Sequence, residues 1–267
     1  MGAYTGKVIV ITGASSGIGR ALALALAEQR PRLVLAARNQ GALDEVARAC
    51  QAKGADVLAV PTDVTSPEAC RALVDRTVER FKVLDVLVNN AGVSMIARFD
   101  ELTDLAVYEN IMKVNYLGCV YPTYHALAHL KASRGQIVVV SSLAGITGVP
   151  TRTGYAASKH ALFGFFDSLR IELAGTAVSV TIVAPYFVLS EIHRRSAGPD
   201  GKPLGASPMK EAELMTAEEC AAEIVRAMEK RRRQLIMTSR AKLLRFVKLV
   251  APGLIDRIAA KAVREGK

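Results

Sequence analysis

A tyrosine and a lysine stand four residues apart in Tyr155-Ala-Ala-Ser-Lys159. On a helix that spacing puts both side chains on one face. A phenol with a pKa of about 10 is a sluggish base at neutral pH, and a nearby ammonium favours the phenolate. Such a pair suits proton exchange with a substrate oxygen. More hydroxyls close the apolar run Val138-Val139-Val140 in Ser141-Ser142. Strand ends at the carboxyl edge of a parallel sheet face the ligand crevice, so a serine there can donate to the same oxygen. Reduction of a carbonyl needs a proton donor at the developing alkoxide and stabilisation of its growing charge. Tyr155, Lys159 and this serine supply both.

A carrier for the electrons is signalled upstream. Thr12-Gly13-Ala14-Ser15-Ser16-Gly17-Ile18-Gly19 follows an apolar run and opens a helical pattern. The glycines allow a tight turn and a close backbone approach to phosphate, and the helix N-terminus offers free N–H groups and a positive dipole end. The strand–turn–helix context is the one that gives such a loop meaning. The next strand ends at Ala37-Arg38-Asn39. An acid there would hold the ribose hydroxyls of NAD, whereas Arg38 suits the 2′-phosphate of NADP in a charge-assisted contact. Ser15, Ser16 and Asn39 are further donors to that phosphate. NADP(H) is the expected cofactor, ahead of NAD(H).

The loop spacing, G-x-x-x-G-x-G, resembles that of the short-chain dehydrogenase/reductase family. Further motifs carry the resemblance over about residues 7–190. It implies that Asp63-Val64 contacts adenine and that Asn90, Ala91 and Gly92, within Asn89-Asn90-Ala91-Gly92, line the cofactor. It implies a catalytic set of Asn115, Ser142, Tyr155 and Lys159, and the family's spacing to the tyrosine selects Ser142 over Ser141. In that set Asn115 holds a water for proton relay to Lys159, and Lys159 also holds the nicotinamide ribose. Pro185, Val188 and Ser190 resemble the segment that meets the carboxamide. The chain departs from the pattern at Ser16, where many NADP-using members carry a basic residue. It departs again at Tyr186, where a glycine is usual. Ser141-Ser142-Leu143-Ala144-Gly145 and Ala36-Ala37-Arg38-Asn39 are similar to the 11β-hydroxysteroid dehydrogenase-like branch and its bacterial relatives. A non-catalytic dinucleotide-binding regulator is the alternative function, and the intact Ser142–Tyr155–Lys159 set argues against it.

These residues require a scaffold. Short β-branched runs at 7–12, 32–36, 57–61, 86–89, 136–141, 179–183 and 234–237 alternate with helical patterns at 18–30, 41–53, 67–81, 104–131, 155–175 and 217–229. Strands flanked by helices indicate an α/β fold. The expectation is one Rossmann-type, doubly wound parallel sheet of about seven strands with helices on both faces. Residues 1–238 are expected to bind cofactor and catalyse. Within them, 190–216 is rich in Gly and Pro and reads as a substrate lid.

Residues 239–267 read as a separate basic, amphipathic helical extension. From Arg226 to Lys267 there are 13 Lys/Arg and 3 Asp/Glu, which accounts for the whole net charge of +10. Leu243, Leu244, Phe246, Val247 and Val250 cluster on one helix, and Leu254, Ile255, Ile258 and Ala262 on another. That pattern suits docking on the body or a sister subunit, or peripheral contact with an anionic membrane. No nucleic-acid reader motif accompanies the charge. Residues expected to rim the pocket are apolar: Val93, Met95, Ile96, Leu143, Ile146, Val149, Tyr186, Phe187 and Ile192. They suit a lipophilic carbonyl or alcohol such as a sterol, retinoid or long-chain ketone. Cys50, Cys70, Cys119 and Cys220 have no metal-type spacing, so a reducing, cytoplasmic setting and no metal are expected. The resemblance implies a homodimer or homotetramer.

Overall fold

The computed structural model describes residues 2–206 and 214–264. Seven strands form one parallel sheet in the order β3-β2-β1-β4-β5-β6-β7. They are β1 (Val8–Thr12), β2 (Arg32–Ala37), β3 (Asp56–Pro61), β4 (Val86–Asn89), β5 (Gln136–Val140), β6 (Ser179–Ala184) and β7 (Gln234–Ile236). The order reverses between β1 and β4. Their connections leave in opposite directions there and open a crevice at the carboxyl ends.

The inner strands β1, β4, β5 and β6 are buried on both faces, which is why they read as unbroken apolar runs, whereas the edge strand β3 is only partly buried. Successive side chains of β1 go to opposite sides. Ile9 and Ile11 pack beneath α1 (Gly17–Ala27), α2 (Gln40–Ala52) and α7 (Ala217–Glu229), while Val8 and Val10 face α3 (Pro67–Phe81), α5 (Gly118–Ser133) and α6 (Thr153–Glu172). Leu22, Leu26 and Leu43 fill the first layer, and Leu73, Leu162 and Phe166 the second. Each such side chain contributes about 1.5–3 kcal/mol on burial. Local signals set the helix ends. Ser66 and Asn39 accept N–H groups of α3 and α2, and Thr216 forms a capping box with Glu219 on α7.

One expected helix is not continuous. The 104–131 pattern resolves into α4 (Ala106–Met112), a π-helical turn (Lys113–Leu117) and α5. Pro122 lies inside α5 and has no N–H to return to Gly118. The bulge is one turn upstream and carries Asn115. Such bulges recur at functional sites.

The C-terminal extension forms α8 (Ser239–Val250) and α9 (Pro252–Arg264). Thr238 caps α8 by accepting the Ala241 N–H, and Pro252 starts α9, a position where its missing N–H is no loss. Ala241 is buried with Ala184 and Ile236, so α8 lies against the body. In the expected lid, residues 190–206 fold back so that Ala197 bridges both Met95 and Pro203. Met215 and the segment Phe187–Leu189 bond each other across its base. Residues 207–213 of that lid lie outside the described residues.

Candidate active site

The turn from β1 to α1 is shaped to receive a phosphate group. Gly13 has φ +66°, and a Cβ built on it would stand 2.8 Å from the Ala91 Cα. Only a hydrogen fits where the turn meets the end of β4. Asn90 holds that closeness by donating to the carbonyls of Thr12 at 2.9 Å and Gly13 at 3.2 Å, while the Thr12 hydroxyl accepts the N–H groups of Asn90 and Ala91. Ser16 stands at the N-cap of α1 without making a side-chain cap. The first N–H groups of α1 and the Ser15 and Ser16 hydroxyls therefore face the crevice with Gly17 and Ile18. Gly19 is buried, and a Cβ there would strike the Gly13 carbonyl.

The part of the cavity beyond β2 and β3 could hold an adenosine. Arg38 is exposed at the mouth of the cavity beyond Ala37. Asn39 is partly committed, because its oxygen caps α2 by accepting the Ala42 N–H at 3.1 Å. Its amide nitrogen remains a donor. Asp63 accepts from the Thr65 N–H at 2.9 Å and the Thr65 hydroxyl at 2.8 Å. The Thr65 backbone bond holds this carboxyl below the usual range, with Arg38 adding to the effect. Val64 beside it is buried and lines the same wall.

Tyr155 and Lys159 lie on α6, where the sequence spacing placed them. Lys159 is only 4% exposed. Its Nζ donates to the Val140 carbonyl at 3.0 Å and lies 5.6 Å from the centre of the Tyr155 ring. An ammonium has three protons, so two remain for a ribose or the phenol oxygen. Ser142 begins the turn after β5. Its Oγ accepts the Ala144 N–H at 3.2 Å, which leaves its own O–H to donate into the cavity. Neighbouring Ser141 points elsewhere, donating to the Lys159 carbonyl at 3.2 Å. Both serines line the cavity, but the Ser141 hydroxyl braces α6 while that of Ser142 is left to donate into the cavity.

Protein groups bond both polar atoms of the Asn115 side chain and leave its Oδ1 one further acceptor site. Its Oδ1 accepts the Val93 N–H at 2.8 Å, and its Nδ2 donates to the Val93 carbonyl and the Ser158 hydroxyl, both at 2.9 Å. The side chain clamps the loop after β4 to α6. A Cβ on Gly92 would lie 3.3 Å from Asn115 Oδ1 and 3.6 Å from Lys159 Nζ, so the three residues converge.

One cavity of about 600 Å³ joins the glycine turn, Arg38, Asn39, Asp63, Ser142, Tyr155 and Lys159, whereas Asn115 is buried and does not line it. Of the expected apolar rim, Val93, Leu143, Ile146, Val149, Tyr186, Phe187 and Ile192 line it. Met95 does not. It is wholly buried in a side cluster with Val107 and Ile111, because its bridge to Ala197 turns it inward. Ile96 is likewise absent from the lining. Pro185, Val188 and Ser190 line the cavity too, and Tyr186 stands exposed at its rim.

Sequence reasoning missed two parts of the wall. Arg152 and His193 are both buried beside the ring of Phe187, and α8 and α9 close the far side with Leu244, Ile255 and Ile258. Lys248 of α8 donates to the Ile146 carbonyl at 2.9 Å, pinning the extension to the loop that follows Ser142. A hint for Arg152 was its place three residues before Tyr155, on the same side of a helix start.

Residues 7–199 match the family model described as short chain dehydrogenase. The chain belongs to the short-chain dehydrogenase/reductase family. These are oxidoreductases that act on alcohols or carbonyls with a nicotinamide dinucleotide. The "dehydrogenase/reductase SDR family protein 7-like" of Dictyostelium discoideum is 35% identical over 97% of this chain and 82% of its own length. An "11-beta-hydroxysteroid dehydrogenase A" of Arachis hypogaea is 38% identical over 94% of this chain and 74% of its own. Among solved structures, a short-chain dehydrogenase/reductase from Burkholderia phymatum in complex with NAD superposes with a TM-score of 0.84 at 28% identity, covering 95% of this chain and 96% of that one. An alcohol dehydrogenase from Thermococcus sibiricus, complexed with 5-hydroxy-NADP, gives 0.72 at 30% identity over 84% and 90%. The glycine turn, the open N-terminus of α1 and the paired Lys159 protons fit such a dinucleotide. The match to the steroid dehydrogenase-like branch agrees with the Ser-Ser-Leu-Ala-Gly and Ala-Ala-Arg-Asn motifs.

Proposed function

We propose that this short-chain dehydrogenase/reductase is an NADP(H)-dependent reductase or dehydrogenase of a lipophilic carbonyl or secondary alcohol, with Tyr155 as its acid and base. The observation that carries the reading is the convergence of Ser142, Tyr155 and Lys159 on one cavity that continues to the glycine turn. The bound nicotinamide supplies or accepts the hydride. The Tyr155 hydroxyl gives its proton to the carbonyl oxygen, and Ser142 donates a hydrogen bond to that oxygen as charge develops. Lys159 offsets the phenolate left behind and holds the nicotinamide ribose. Asn115 positions rather than reacts: its clamp on Val93 and Ser158 keeps the loop after β4 and α6 in register. Oxidation of an alcohol runs the same proton path in reverse. An NADPH-oxidation screen over lipophilic ketones and aldehydes tests the reading, and no turnover of any would refute it.

Preference for NADP(H) rests on Arg38. It stands where an acid would repel a 2′-phosphate, and Ser15, Ser16 and Asn39 Nδ2 add donors. A guanidinium–phosphate contact contributes about 1.5–3 kcal/mol. Arg38→Ala is therefore expected to weaken NADPH binding about 10- to 100-fold while leaving NADH nearly unchanged. Fluorescence titration with both cofactors measures this. Equal affinity of the native protein for NADPH and NADH would remove Arg38 from the role.

The extension suggests a peripheral membrane contact. Leu243, Phe246, Leu249, Val250 and Leu254 are all more than half exposed on α8 and α9. Lys242, Arg245, Arg257 and Lys261 flank them, each worth about 1 kcal/mol near anionic lipid. No helix among the described residues is long and apolar enough to cross a membrane. The full chain should sediment with phosphatidylserine-containing vesicles and release in high salt, whereas a Leu243→Glu, Phe246→Glu, Leu249→Glu variant should stay in solution. Sedimentation that ignores lipid would end this idea. Pairing into a homodimer or homotetramer through α5 and α6 has support in the exposure of Tyr124 and Ile171 on those helices. A cytoplasmic setting accords with four cysteines held as buried thiols.

A further inference from the structure

The groups that react or face the cofactor lie between Gly13 and Ser190, inside the stretch 7–199 that the family model matches. The far side of the cavity lies outside that stretch. Ala241, Leu244, Arg245 and Lys248 of α8 line it, at a spacing of three and four residues that keeps them on one helix face. Ile255, Ile258 and Ala259 do the same on α9. Leu243, Phe246, Leu249 and Val250 leave α8 on its other side and are exposed. The helix is therefore divided lengthwise between a face turned to solvent and a face turned to the cavity.

That inner face continues an apolar path from the reacting end. Leu143 follows Ser142 directly, and Leu143 and Ile146 pack against the cluster of Ala184, Ile236 and Ala241. Leu244 stands one turn beyond Ala241, and Ile255 and Ile258 extend the lining onto α9. Two tethers fix the wall in place. Arg245 donates to Gln234 Oε1 on β7 at 2.6 Å, and Lys248 Nζ donates to the Ile146 carbonyl at 2.9 Å. The second tether reaches the loop that runs from Ser142 to Tyr155. A bond from an ammonium is charge-assisted and stronger than a neutral one. Lys248 thus sets how closely the apolar wall stands to the reacting groups.

We propose that the inner face of α8 and α9 determines substrate specificity: Leu244, Ile255 and Ile258 bind an aliphatic chain carried by the substrate, and Lys248 is the positioning residue that holds them against the Ser142–Tyr155 loop. The class is a ketone, aldehyde or secondary alcohol whose reacting carbon lies near one end of a chain long enough to reach α8. Seating that chain takes apolar surface of both partners out of water, which is favourable in proportion to the area removed. This inference rests on the reductase reading and assigns its selectivity to particular residues.

The test follows kcat/KM with NADPH across 2-alkanones, from 2-butanone to 2-dodecanone, in the native protein and in Leu244→Ala, Lys248→Met and Lys248→Arg. In the native protein each methylene that reaches the wall should raise kcat/KM by about two- to fourfold. Leu244→Ala should lower it about tenfold for 2-decanone and no more than about threefold for 2-butanone, which is too short to reach the wall. Lys248→Met should raise KM for 2-decanone about tenfold at constant kcat, as expected for loss of one charge-assisted bond. Lys248→Arg can still donate to the Ile146 carbonyl and should restore most of the loss. The same chain-length dependence in native and Leu244→Ala proteins would overturn the proposal. So would losses in Leu244→Ala and Lys248→Met that strike 2-butanone as hard as 2-decanone with a lowered Tm, which is the mark of packing alone. Calorimetric binding of 2-decanone to protein loaded with oxidised NADP, which has no hydride to give, reads the wall without turnover. Binding about tenfold weaker in Leu244→Ala supports the wall even if no ketone is reduced. Equal binding, or none to either protein, refutes it even if 2-butanone is turned over.

Discussion

Replacing Tyr155 by Phe should lower kcat by about a thousandfold, within the range of roughly 10²–10⁴ that a positioned acid or base supplies. The ring stays, and with it the packing of Tyr155 against the Met95 cluster and the contact with Lys159. Melting temperature and NADPH affinity should therefore hold. Only the proton on the phenol is lost. Ser142 can still donate a hydrogen bond, so the residual rate should exceed that of the uncatalysed reaction. Steady-state kinetics with the best ketone from the screen, set beside NADPH titration and thermal unfolding, measure all three quantities. A kcat within a few-fold of native would assign the proton to another group.

Gly13→Ala should raise the Kd for NADPH by at least about 100-fold. Two effects add. The φ of +66° at this position costs an L-residue about 1–2 kcal/mol. The new methyl would also stand 2.8 Å from the Ala91 Cα and 3.0 Å from Asn90 Nδ2, so the turn must move off the end of β4. Overpacking of this kind typically costs about 1–3 kcal/mol. Moving the turn tilts the N-terminus of α1 away from the place where phosphate binds. NADPH fluorescence titration reads the loss, and thermal unfolding should show a drop of roughly 5–15 °C. Affinity within twofold of native would mean that this turn does not carry the dinucleotide.

Much of the scaffold was legible in the chain because its signals are local. All seven strands appear where the β-branched runs stand, and the inner ones, buried on both faces, carry no polar alternation. Pro67–Phe81 and Ala217–Glu229 form at the expected bounds because Ser66 and Thr216 cap them and their apolar stripes are regular. The 104–131 pattern hid its break, because a single π-helical turn between two α-helices is shorter than the window over which apolar periodicity is read. The cavity wall was harder. Met95 sits in an apolar loop like its neighbours, and only the bridge to Ala197 shows that it faces inward.

Arg152, His193 and the inner faces of α8 and α9 depend on contacts distant in sequence. Amphipathic spacing in 239–264 showed that these helices have an apolar side. It did not show that Leu244 and Ile255 turn toward the cavity while Phe246 and Leu249 stay exposed. Which residues converge on Tyr155 is decided by the path of the loop after β6 and by the Lys248 bond to Ile146. Neither leaves a periodic trace.

The most direct examination of the chemistry follows a single turnover with NADPH deuterated at the transferring carbon. In the native protein, deuterium should appear on the carbinol carbon of the product at a rate that falls by about three powers of ten in Tyr155→Phe, consistent with loss of one positioned proton donor. Deuterium reaching the product equally fast in both proteins would contradict the assignment of that proton to Tyr155.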